Sequence, residues 1–196
     1  ITDYRRFAEL GDEGVLLLLS DSTNAEHEGY TPSEREIGVA LNEIFMRERD
    51  KRIIIATFSS NIHRIQQVMD AALRYGRKVS IVGKSMMKLV ELAKKLGYLS
   101  FSDDMLIPPE DVEMCLPNEV VIITTGSQGE PLSGLSLMAS GGHKYVKISS
   151  DDVVVISALP IPGNERLVTK TVNLLFQRGA EVLYEPYRQV HVSGHA

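Results

Sequence analysis

The stretch RIIIATFSSNIHRIQQVMDAALRYGRKVSIVG, residues 52–83, changes its hydrophobic period twice. Its opening run, 52–58, is β-branched and nearly continuous in apolar residues, the pattern of a strand buried on both faces. Over 59–76 the apolar residues Ile62, Ile65, Met69, Ala72 and Leu73 recur at helical spacing, and Gly76 supplies a stop. KVSIVG, 78–83, returns to the strand pattern. Strand, helix and strand in that order form a parallel βαβ unit, since the crossover returns the chain to the same end of a sheet.

The same alternation extends outward. GVLLLL (14–19) reads as another strand buried on both faces. TPSEREIGVALNEIFMRERD (31–50) reads as a helix: Ser33 and Glu36 form a capping box, with Ile37, Ala40, Leu41, Ile44 and Phe45 inward. KSMMKLVELAKKLG (84–97) is a helix, and 98–117 is irregular, broken by Pro108, Pro109 and Pro117. Strands are expected at 119–126, 151–158 and 180–185, with a loop and short helix after the first and a turn plus helix at 160–179. The fold class is therefore α/β, a parallel, Rossmann-like sheet flanked by helices on both faces, in one domain over 1–196.

Composition narrows the possibilities. With 196 residues the chain is long enough for a real core, and 43% hydrophobic with 24% charged residues is ordinary for a globular protein. A net charge of −5 argues against unaided electrostatic binding of nucleic acid. The lone Cys115 excludes an internal disulfide and any multi-cysteine zinc site, which fits a reducing cytoplasm. No apolar run reaches bilayer length, so no membrane partner is expected. The start on Ile1 and the abrupt end suggest a piece of a longer protein.

In open α/β sheets ligands gather beyond the carboxyl ends of the strands, and small polar residues cluster there in this sequence. Ser59, Ser60 and Asn61 begin a helix, where free amides favour an anion and Arg64 could add charge; plain N-capping is the alternative. In TGSQGEP (125–131), two glycines bracket Ser127 and Gln128 as a possible phosphate cradle, or a simple strand-to-helix turn. It lacks the Lys-Ser/Thr ending of a P-loop, and there is no dinucleotide fingerprint. That disfavours a generic nucleotide-binding protein. Asp21 follows the 14–19 run, a position suited to catalysis or to capping. In VHVSGHA (190–196) an extended chain would put His191, Ser193 and His195 on one face, with Gly194 leaving room for close approach. His27, Glu28, His63 and His143 have no metal-site spacing. The one H-x-x-x-H, His191 with His195, lacks further ligands, so no bound metal is expected in this chain.

LLLLSDSTNAEHEGYTPSE, ATFSSNIHRIQQVMDAA, VIITTGSQGEPLSGLSLMASGGH, ISALPIPGNE and HVSGHA, taken together, resemble ribonuclease J, a branch of the β-CASP metallo-β-lactamase nucleases. The resemblance covers essentially the whole chain, with five motifs in the family's order. It implies a β-CASP domain inserted into a metallo-β-lactamase domain, with 1–25 and 188–196 belonging to the lactamase sheet. It further implies that Asp21 orients and charges His195, which helps protonate the leaving oxygen, and that His191, Ser193 and Gly194 form a phosphate-grasping segment. Ser59, Ser60, Asn61, Ser127, Gln128 and Glu130 would line the path of the RNA 5′ end. The implied parent is a cytoplasmic 5′-to-3′ exoribonuclease and endoribonuclease carrying two zinc ions, acting on 5′-monophosphorylated RNA in mRNA decay and rRNA processing, and homo-oligomeric.

The H-x-H-x-D-H motif that supplies most zinc ligands in that family is absent from these residues. The expectation is therefore an inactive chain by itself, and an apolar run at Val15–Leu19 left partly uncovered. The competing expectation is a non-catalytic RNA- or phosphate-binding or assembly module of a degenerate paralogue.

Overall fold

The structure, a computed structural model, describes residues 3–194 except 24, 27, 186 and 187. It divides into two compact units, Ile1–Thr31 with Ser193–Ala196, and Pro32–Val192. In the smaller unit, Tyr4–Glu13 forms helix α1, started by the Asp3 carboxylate accepting from the Arg6 amide at 3.0 Å. The run Val15–Leu19, read from sequence as a doubly buried strand, is neither a strand nor buried. Leu16, Leu17, Leu18 and Leu19 are all exposed. Five consecutive apolar residues satisfy a strand's pattern, but a strand exists only when a neighbour takes up its N–H and C=O groups, and the sheet includes none of this run.

The larger unit contains the sheet. Among the described residues its strands are β1 (Arg52–Ala56), β2 (Lys78–Val82), β3 (Leu106–Ile107), β4 (Val120–Thr124), β5 (Asp152–Ile156) and β6 (Glu181–Leu183). All pairings are parallel, in the order β3-β2-β4-β1-β5-β6. The stretch 98–117, expected to be irregular, supplies the two-residue edge strand β3 between short 3-10 turns. Helices α2 (Glu34–Arg47), α3 (Ile62–Arg74) and α4 (Lys84–Lys95) share one core with Ile53, Ile55, Val79, Ile81, Val121, Ile123, Val153 and Val155. Helices α5 (Gly134–Ser140) and α6 (Glu165–Gln177) pack with Ile54, Ile122, Val154 and Ile156 on the other face. Alternate residues of the same strand thus feed opposite cores, which is why the strands read as continuous apolar runs.

Two local readings need correction. Ser33 caps α2, but its hydroxyl accepts from the Arg35 amide at 3.3 Å rather than forming the expected box with Glu36. Leu73 is exposed, and Val68 takes the inward position instead. A helix turns 100° per residue, so a residue next to the centre of a stripe can fall outside it. At the other end of α2, the buried Arg77 donates to the carbonyls of Glu48 at 2.7 Å and Lys51 at 2.7 Å. These bonds satisfy backbone acceptors just past the helix terminus, where a cation also suits the dipole.

Candidate functional site

The parallel ladder continues one residue beyond three assigned strands. Thr57 donates its amide to the Thr124 carbonyl, Thr125 to Val82, and Ser157 to Ala56. These three residues form a polar row at the carboxyl edge of β1, β4 and β5. The crossover leaving β1 runs through α3 on one face, whereas those leaving β4 and β5 run through α5 and α6 on the other. Such a switch between neighbouring strands opens a crevice at the carboxyl edge, and the sequence-selected turns of the larger unit lie there.

After β1, the side chain of Asn61 accepts from the Arg64 amide at 3.1 Å and caps α3, the simpler of the two readings of this turn. Ser60 is exposed, while Ser59 is half-buried. Arg64 does not offer a free charge to an anion. Its side chain is 0% exposed and forks onto Glu34, Nε to Oε1 at 2.6 Å and Nη2 to Oε2 at 2.8 Å. Its Nη1 donates to the Ser157 carbonyl at 3.1 Å, to the Ser157 hydroxyl, and to the Val190 carbonyl at 3.3 Å. A buried guanidinium requires such pairing, because an unpaired buried charge costs several kcal/mol (~3–5).

After β4, Ser127 and Gln128 are buried and Glu130 is exposed. The Gln128 amide bridges two loops: Nε2 donates to the Leu159 carbonyl at 2.8 Å, and Oε1 accepts from the Ile161 amide at 2.7 Å. Gly129 lies so close to α6 that a Cβ there would stand 2.5 Å from the Leu167 carbonyl carbon and oxygen. The glycines of this turn therefore permit close packing on a helix, and Glu130 folds back to accept from the Gln128 amide at 3.2 Å.

The segment 190–194 is without regular secondary structure. Val190 and Val192 are buried in the α2–α4 core, which seats His191 between them as a half-buried side chain. Burial first, and then the Arg64 charge, hold the His191 imidazole below its ordinary pKa; the Ser157 backbone and Glu34 oppose them. His191 is thus neutral at neutral pH, and its Nδ1 is buried with no hydrogen-bond partner among the described residues. Ser193 is half-buried and Gly194 exposed. His195 and His27 lie outside the described residues. In the smaller unit Asp21 is exposed, its Oδ1 accepting from the Thr23 amide at 3.0 Å and hydroxyl at 2.7 Å. Among the described residues no group of three or more His, Cys, Asp or Glu is placed to hold a metal ion, so they do not fit a zinc site.

Sequence reasoning missed Glu34 and Ser157. Glu34 passed unnoticed beside the Ser33 and Glu36 pair, and Ser157 read only as the end of a strand. Neither has a local signal, because the Arg64 that joins them is separated from each by many residues.

The family model "Ribonuclease J, beta-CASP domain" matches residues 50–175. The chain belongs to the ribonuclease J β-CASP family. It is 48% identical over 193 residues to "Ribonuclease J2" of Bacillus subtilis (strain 168), covering 98% of this chain and 34% of that protein. It is 45% identical over 195 residues to "Ribonuclease J" of Helicobacter pylori (strain J99 / ATCC 700824), covering 100% of this chain and 28% of that protein. The chain therefore spans about a third of the length of the curated relatives it matches. A crystal structure of a protein of unknown function from Enterococcus faecalis V583 superposes with a TM-score of 0.60 at 11% identity, over 98% of this chain and 44% of that one, and shares the fold alone. The β-CASP family membership agrees with the parallel sheet and its two helical layers. No helix among the described residues is long and apolar enough to cross a membrane.

Proposed function

We propose that this chain is the β-CASP portion of a zinc-dependent ribonuclease of the J type, cytoplasmic and homo-oligomeric, that processes and degrades RNA from a 5′-monophosphorylated end and internally. The observation that carries this reading is the family match across 50–175, which spans the polar turns after β1, β4 and β5. In this reading 1–25 and 188–196 complete a metallo-β-lactamase sheet. The grouping of 1–31 with 193–196 in a unit of their own supports that assignment for those residues, whereas 188–192 belong to the larger unit. The two zinc ions find no ligand set among the described residues.

The chain's own residues then have substrate-handling roles. His191, Ser193 and Gly194 grip a phosphate, with His191 acting as a neutral donor rather than a cation. Ser59, Ser60, Asn61, Ser127, Gln128 and Glu130 border the path of the RNA 5′ end, where Asn61 and Gln128 act mainly by holding their loops in shape. Asp21 orients His195, which delivers a proton to the leaving oxygen. The chain alone does not cleave RNA.

The test is direct. The purified chain, freed of contaminating nucleases, is incubated with Zn²⁺ or Mn²⁺ and 5′-monophosphorylated RNA. No turnover is expected; metal-dependent turnover refutes the inactive reading. Turnover by the longer protein, lost on Asp21→Ala, supports the enzyme assignment. An inactive longer protein that still binds RNA would instead make this a clamp of a degenerate paralogue.

A further inference from the structure

We propose that Arg64, held by Glu34, is a positioning residue that anchors the Val190 carbonyl at the carboxyl end of β5 and thereby sets where His191 stands. The inference rests on the phosphate-gripping role given to His191 above, and it assigns Arg64 a task different from binding the phosphate itself.

The geometry carries it. The five N–H groups of a guanidinium form a rigid fork, and each of the three nitrogens of this one donates inside the larger unit. One side meets Glu34 at the first residue of α2, through two bonds of 2.6 and 2.8 Å. The other side meets the Ser157 carbonyl at 3.1 Å and the Val190 carbonyl at 3.3 Å. The Ser157 hydroxyl donates to that same Val190 carbonyl, so two donors from two elements converge on one backbone oxygen. Val190 precedes His191 directly, and its side chain is 0% exposed. The segment enters the crevice with neither a helix nor a strand to hold it, so this carbonyl and the two buried valines define its path.

An Arg buried only for stability would be a poor choice, since a well-packed apolar pair serves a core equally well or better. A buried fork is suited to holding three separate elements in one register, and here it grips the Glu34 carboxylate of α2 and the backbone carbonyls of Ser157, at the end of β5, and Val190, in the 190–192 segment. The charged groups that face His191 come from the same cluster: Arg64 from α3 and Glu34 from α2, beside the Ser157 backbone. Arg64 therefore influences His191 both through the backbone and through space, with opposing help from Glu34.

The test uses the intact protein that carries this chain and two variants. Arg64→Lys keeps the charge and its pairing with Glu34 but reduces the fork to a single ammonium, which cannot also reach Ser157 and Val190. Its KM for 5′-monophosphorylated RNA is expected to rise roughly tenfold, the loss of about one hydrogen bond to a charged group, with kcat little changed. The KM for 5′-hydroxyl RNA should not move. The double variant Glu34→Gln/Arg64→Met removes both charges together, leaving no unpaired buried ion and favouring a folded protein. There, His191 followed by NMR should titrate at higher pH than in the parent, because the Arg64 charge that depresses it outweighs the Glu34 charge that raises it. Folded variants with an unchanged His191 titration and an unchanged KM overturn the proposal. If the parent protein itself ignores the 5′ phosphate, the phosphate reading fails on its own. The anchor then stands or falls on Arg64→Lys, which keeps the charge: NMR backbone shifts of 190–192 that do not move in that variant overturn it.

Discussion

Replacing Gly129 by alanine separates two penalties that sequence alone would treat as one. Gly129 has φ +68, and an added Cβ would lie 2.5 Å from the Leu167 carbonyl carbon and oxygen and 2.8 Å from the Val168 nitrogen. These are backbone atoms of α6 and cannot rotate away. Gly76 has nearly the same dihedral, φ +66, yet a Cβ there meets nothing within 4 Å. A left-handed alanine costs ~1–2 kcal/mol at either position. Only at Gly129 does overpacking add a further ~1–3 kcal/mol, for a total of about 2–5 kcal/mol. For a domain of this size each kcal/mol moves the midpoint by roughly 2–4 °C, so Gly129→Ala should melt about 4–20 °C lower and Gly76→Ala about 2–8 °C lower. Thermal and urea unfolding of both variants, followed by circular dichroism, measure this directly. Equal destabilisation of the two would refute the reasoning, since it would mean that backbone conformation alone, and not the close approach to α6, requires glycine at Gly129. The variant should also loosen the Gln128 bridge, detectable as faster hydrogen exchange at the Ile161 amide, which bonds to Gln128 Oε1.

Other consequences follow from single features. Asp152→Ala should destabilise by ~3–5 kcal/mol in urea unfolding, because it strands the mostly buried Arg52, now bonded to Asp152 at 2.6 and 2.9 Å; a loss below about 1 kcal/mol would show the pair to be solvent-screened. His143 and His191 both have folded pKa values below the ordinary 6.5, mainly through burial. The unfolded chain therefore binds the proton first, so stability is complete above 6.5 and declines as pH falls through the folded values. His143 Nδ1 accepts from the Val146 amide at 3.0 Å, a bond that protonation abolishes, and His143→Asn should flatten the acid limb of the stability profile. The exposed run Val15–Leu19 should drive self-association, and Leu17→Lys should reduce it in light scattering; a chain strictly monomeric at high concentration would count against this.

Much of the fold is legible because each core strand carries β-branched residues on both faces and each long helix carries an apolar stripe. Ile53–Ile55, Val120–Ile123 and Val153–Ile156 announce a sheet covered on both sides before any contact is known. The reading failed at Val15–Leu19, where the pattern of a strand occurs without a partner strand, and at Leu106–Ile107, where two residues between a short 3-10 turn and Pro108–Pro109 are too short to show a period. The polar turns of the site were visible for the reason the strands were: small polar residues stand out at the end of an apolar run. Their roles were less visible. Asn61 and Gln128 look alike in sequence as loop amides, yet one caps a helix and the other staples two loops.

By itself the sequence determined the parallel α/β class, the strand-end location of the polar turns and, through five ordered motifs, the family, since all of these depend on residues near one another in the chain. Only the tertiary structure decided the strand order, the closeness of Gly129 to α6 and the engagement of Arg64 with Glu34, Ser157 and Val190. Those depend on atoms brought together by folding across long stretches of chain. A charged side chain reads as solvent-facing until its partners, distant in sequence, are seen to enclose it.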